Sequence, residues 1–91
     1  MSLSHYTATE RGRIAQLAQD LGVSAAFISQ MASGARVVPL TRCPAIERAT
    51  VGAVPCEALR PDVRWVRLAD AAWPWHPAGR PLIDVSTPQE A

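Results

Sequence analysis

Residues 14–31, IAQLAQDLGVSAAFISQM, decide how the rest of the chain is read. Leu17, Ala18 and Leu21 are apolar at helical spacing, and Gln16, Gln19 and Asp20 fall on the opposite, wet side. Gly22 follows. A left-handed backbone costs glycine least, so a helix that begins near Arg13 is expected to end at Leu21. Ser24 carries a side chain suited to capping a second helix. Ile28 and Met31 give that helix one buried stripe, and it is expected over 24–32, with Gly34 just beyond. Ala18 is small enough for the two backbones to cross closely.

This pattern resembles the helix-turn-helix of DNA-binding proteins, whose second helix enters the major groove. An ordinary helical hairpin in a small bundle is the other reading. The whole set favours the first: Leu17-Ala18 before the turn glycine, Val23 after it, then Ile28, Ser29-Gln30 and Met31 at fixed offsets. The outward arc of the second helix would hold Ala25, Ala26, Ser29, Gln30 and Ser33. Phe27 falls at the edge of the stripe. It either packs on a neighbouring segment or serves an interface or a base-methyl contact.

Ninety-one residues, 48% of them hydrophobic, allow one small domain with a modest core. Domains this small often gain stability by association. No apolar run is long enough to span a bilayer. The start of the chain lacks a basic stretch followed by an apolar core, so no secretory signal is expected. Net charge is only +1, but all nine basic residues are Arg. Arg grips phosphate with two hydrogen bonds, which suits DNA; a GC-rich genome would give the same bias. Cys43 and Cys56 form no C-x-x-C pair, and with His5 and His76 they fit no zinc spacing. A reduced, cytoplasmic protein without metal or cofactor is expected. An enzyme is not: neither His has a motif partner, and there is no Gly-rich phosphate loop.

The remaining elements follow from local pattern. A short helix is expected around Leu3 to Glu10, with Leu3, Tyr6 and Ala8 inward. Another is expected over 40–50, with Leu40, Cys43, Ile46 and Ala49 or Thr50 inward, Pro44 in its first turn, and Glu47 solvated. Cys56 to Leu59 is a single turn between Pro55 and Pro61. Residues 62–68, DVRWVRL, alternate as a strand, with Val63, Trp65 and Arg67 on one face. Residues 81–85 form a second strand and 86–91 a disordered tail. The chain thus divides into a helical DNA-binding domain, 1–60, and a β-like extension, 61–85. Trp65, Trp73 and Trp75 in that extension are candidate dimer-interface residues, since one small core has little room for them. Folding back over the helical body is the alternative.

Residues 22–50, GVSAAFISQMASGARVVPLTRCPAIERAT, with CEALRPDV at 56–63, resemble the YdaS-like branch of the Cro/CI family of bacterial and prophage regulators. RCPAIERAT and CEALRPDV are the most specific parts, and the resemblance covers about residues 12–68. It implies a mainly α, five-helix, λ-repressor-like helix-turn-helix domain, here with a short C-terminal β-hairpin. It also implies operator DNA as partner and, usually, a homodimer. The recognition helix maps to Ser24–Ala32, with Ala25, Ala26, Ser29 and Gln30 facing the groove and Arg36 near the backbone. Ala25-Ala26 stands where relatives carry a more polar pair. Gln30 would pair with adenine, Ser29 with a base or a phosphate, and the two alanines with thymine methyls. Arg13, Ser24, Ser33, Arg36 and Arg42 would hold phosphates. The leading expectation is a Cro-like repressor on a palindromic operator, associated with the nucleoid. The alternative is an antitoxin whose tail neutralises a toxin protein.

Overall fold

Each helix starts and stops where local chemistry allows. The computed structural model describes residues 1–84. Within them α1 spans Leu3–Thr9, α2 Arg13–Leu21 and α3 Ala25–Ser33. A 3-10 turn, Leu40–Arg42, leads into α4, Cys43–Ala49, and then α5, Cys56–Leu59. Two strands follow: β1, Trp65–Leu68, and β2, Arg80–Ile83. The fold is mainly helical, as expected, with a two-stranded antiparallel sheet after the fifth helix.

Gly22 sits at φ 68°, and its N–H reaches back to the carbonyls of Ala18 and Gln19, closing α2. The Ser24 hydroxyl accepts from the Phe27 amide at 3.1 Å, opening α3. Ser24 is therefore the cap and Ala25 the first helical residue. The helix expected over 40–50 is divided. Its first three residues wind as a 3-10 turn, and Pro44 then lies in the first turn of α4, where no amide is missed. The first strand is shorter than its alternation suggested. Arg60 and Asp62 pair at 2.8 Å and the Val63 amide bonds the Arg60 carbonyl, so a turn holds residues 60–63 out of the sheet. The strands pair Trp65 with Ile83, Val66 with Leu82, Arg67 with Pro81 and Leu68 with Arg80. Val85 and the tail expected to be disordered lie outside the described residues.

Ile28, Ile46, Val54, Cys43 and Cys56 are wholly buried, joined by Leu17, Ala18 and Met31 from the two crossing helices. Both cysteines are free. Ala8 is exposed rather than inward. No helix among the described residues is long and apolar enough to cross a membrane.

The loop after β1 folds back onto the turn after α4. Gly52, at φ 80°, lies so close to it that a Cβ there would collide with the Trp75 carbonyl oxygen. Gly52→Ala combines that collision with a left-handed backbone. It is expected to cost about 2–4 kcal/mol, visible in thermal melts as a lowered midpoint. An unchanged midpoint would show that the loop is not seated there.

Candidate nucleic-acid interface

Helix α3 is held by its inner stripe. Ile28 and Met31 are buried against α1 and α2, which leaves Ala25, Ala26, Ser29, Gln30 and Ser33 exposed. All five residues expected on the outward arc are there. The Ser33 hydroxyl donates to the Gln30 carbonyl at 3.2 Å, tightening the helix end.

Two arginines gather beside this face. The Arg36 amide bonds the Gln30 carbonyl at 3.1 Å. Its Nε donates to Gln30 Oε1 at 3.0 Å. The Arg36 guanidinium lies 5.3 Å from the centroid of the Phe27 ring, and that of Arg42 lies 5.9 Å from it. Both are within the range in which a cation is drawn to a ring face. Arg42 also donates to the Leu21 carbonyl at 3.3 Å, at the carbonyl-rich end of α2. Arg36 and Arg42 thus share one half-buried aromatic ring, and Gln30 joins them through Arg36. Arg13 is placed differently. It pairs with Glu10 at 2.8 Å and lies 4.0 Å from the Tyr6 ring, at the corner between α1 and α2.

Phe27 is the residue whose part was least legible. Helical spacing put it at the edge of the stripe, but its arginines come from nine and fifteen residues downstream, beyond any helical period.

A second polar cluster fixes the hairpin to the helical body. Glu47, expected to be solvated, is wholly buried. Its two oxygens accept from Arg67 at 2.6 and 2.7 Å. They also accept from Trp73 Nε1 at 2.7 Å and from the Cys56 amide at 3.0 Å. Arg67 uses its remaining donors on Glu57, at 2.6 and 3.1 Å, and on the Gly79 carbonyl at 3.0 Å. All five guanidinium N–H groups and all four carboxylate lone-pair sites are occupied. Burial alone would push the Glu47 carboxyl up. The hydrogen bonds from Arg67, Trp73 and Cys56 outweigh it and hold the pKa at about 2.

A carboxylate depressed in the folded state stabilises the fold above its unfolded value, near 4.5. That stability is lost as pH falls toward 2. The urea midpoint is therefore expected to drop steadily from about pH 5 downward, and Glu47→Gln should flatten that slope. A wild-type midpoint constant across this range would contradict the clamp.

The same cluster shows where the tryptophans go. Trp65 Nε1 donates to the Arg60 carbonyl at 3.0 Å, and its ring packs against the core. Trp73 reaches Glu47, and Trp75 meets Trp73 edge to face at 4.7 Å between centroids. Each is only partly exposed. The large apolar groups the hairpin does present to solvent are Val66, Leu68, Leu82 and Ile83, at 40, 46, 38 and 40% exposure.

Two comparisons bear on this arrangement. The family model described as bacterial toxin YdaS matches residues 7–68. A protein of Escherichia coli (strain K12), named "Putative transcriptional regulator YdaS", is 52% identical over 56 residues, 62% of this chain. The match spans 57% of that relative's length. The matched residues run from within α1 to the last residue of β1 and include α3, Phe27, its two arginines and the Glu47–Arg67 pair, and by that match the chain belongs to the YdaS family.

Proposed function

We propose that the chain is a sequence-specific DNA-binding transcriptional regulator, a Cro-like repressor that reads operator DNA through α3. The observation that carries this is the outer face of α3. Its base-reading residue, Gln30, stands free of the core, braced by Arg36 and flanked by a second guanidinium on the Phe27 ring. The name of the Escherichia coli relative supports a regulator. Gln30 and Ser29 meet base edges, and Ala25 and Ala26 offer methyl groups to thymine. Arg36, Arg42 and Ser24 would hold the phosphates that flank the helix, Arg13 would add a contact from the α1–α2 corner, and Ser33 would do so only by releasing the Gln30 carbonyl. Adding duplex DNA to isotopically labelled protein tests this. Amide shifts are expected to concentrate over residues 24–36. Shifts confined to the hairpin would overturn the assignment.

A single reading helix of nine residues covers few base pairs, so the proposal includes a two-fold dimer spanning two half-sites. Trp65, Trp73 and Trp75 were the expected contact, and their intramolecular partners favour the hairpin's outer face instead. Leu82→Arg is expected to convert dimers to monomers in light scattering and to weaken operator binding. A wild-type chain that is monomeric at every concentration, with and without DNA, would remove the dimer from the account.

The family's description favours a second reading, that the protein inhibits growth when produced. The two readings meet if toxicity comes from DNA binding, in which case Gln30→Ala relieves it. The antitoxin reading has less support. It asks for a tail that folds only on its partner, whereas residues 65–83 are already clamped to the body through Glu47.

A further inference from the structure

We infer that Gln30 and Arg36 form one reading unit, and that the base it selects is guanine rather than the adenine a lone glutamine prefers. The inference rests on the proposed DNA reading and deepens it by naming the base.

A glutamine pairs with adenine by presenting both halves of its amide: the N–H donor to N7 and the carbonyl oxygen to the N6 amino group. Here the carbonyl half is already engaged. Arg36 Nε donates to Gln30 Oε1 at 3.0 Å. Arg36 is not free to drift from that oxygen. Its own amide is bonded to the Gln30 carbonyl, and its guanidinium lies over the Phe27 ring. The oxygen keeps a second lone pair, but an adenine amino group reaching for it would arrive beside a guanidinium, donor against donor. What the pair offers outward is N–H: the amide nitrogen of Gln30 and the terminal nitrogens of Arg36, which make no hydrogen bond to the described residues. Among the four bases, guanine presents two acceptors side by side in the major groove, O6 and N7. A surface made only of donors fits that edge and no other equally well. Arg36 is thereby a specificity residue, beyond any grip on phosphate.

The test is selection from a randomised duplex pool with the full chain, followed by affinity measurement on the selected site. Wild type is expected to select a guanine at one position in each half-site. Replacing it with adenine or with 7-deazaguanine should weaken binding on the order of tenfold. Arg36→Ala frees the Gln30 carbonyl, so its selected base should move toward adenine. Arg36→Lys keeps the charge but loses the Nε contact, so it should bind the guanine site more weakly than wild type and discriminate less sharply between guanine and adenine. Both residues are exposed, so circular dichroism should show each variant folded as wild type. Selection of adenine by wild type, with Arg36→Ala weakening all sequences equally, would overturn the inference and leave the DNA reading standing. A pool that yields no motif overturns the DNA reading, and this inference with it.

Discussion

Arg67→Ala is expected to cost about 3–5 kcal/mol of folding stability. The loss is large because of what stays behind. Glu47 would remain wholly buried with two of its four hydrogen bonds gone and no countercharge within reach. An unpaired buried carboxylate either ionises at great cost or takes up a proton. A domain of this size has about 5–15 kcal/mol in all, so one substitution removes a large share. The thermal midpoint should fall by more than about 12 °C. Glu57 is a weaker case. Its side chain is 45% exposed, water replaces much of what Arg67 supplies, and Glu57→Ala should be mild. The double variant Glu47→Leu, Arg67→Leu discriminates further. It removes the buried charge but leaves the Cys56 amide and the Trp73 indole N–H without their acceptor, so it should recover only part of what Arg67→Ala loses. An Arg67→Ala midpoint within a degree of wild type would mean that the hairpin is held by something else.

The second large effect is expected in binding. Gln30→Ala should weaken operator binding on the order of tenfold or more, since a good side-chain-to-base pair discriminates by about 1–3 kcal/mol. Binding to unrelated duplex should hardly change. Arg42→Ala should behave in the opposite way. Arg42 lies beside Phe27 and the end of α2 and reaches no base in this account. Its loss should lower affinity for all sequences alike and reduce the salt slope by about one. Titrations of both variants against operator and scrambled duplex, at several salt concentrations, separate the two roles. Equal loss on both duplexes for Gln30→Ala would place the reading surface elsewhere.

Most of the helical body was legible because its signals are local. Leu17, Ala18, Ile28 and Met31 are spaced for burial and are buried. Gly22 and Ser24 end and begin helices as their chemistry dictates. The hairpin was legible as two strands, and alternation put Trp65 and Arg67 on one face; that this face turns toward the helical body, and not toward a partner, shows only in the fold. Glu47 is the instructive error. The sequence reads as a stripe of Leu40, Cys43, Ile46 and Ala49 or Thr50 with Glu47 in solvent, whereas Cys43, Ile46, Glu47 and Thr50, at i, i+3, i+4 and i+7, are the residues buried. Residue type argued against burial, because a lone carboxylate is rarely hidden. Its partner lies twenty residues downstream, and only the folded hairpin brings Arg67 to it. The same reason governs the tryptophans. Composition shows that Trp73 is large and apolar but not that its indole N–H has a buried acceptor waiting. At α3 the outward residues followed from periodicity, while the Arg36–Gln30 bond depends on the turn after Gly34 and appears only in three dimensions.

The central claim is that α3 reads DNA, and a mobility shift tests it most directly. The duplex is the region upstream of the protein's own gene, at low and at physiological salt, with Gln30→Ala beside wild type. The expected result is a shift that survives physiological salt and competition by unrelated DNA and is weakened by Gln30→Ala. A shift abolished by salt, indifferent to sequence and unchanged by Gln30→Ala would reduce the interaction to phosphate attraction and contradict the claim.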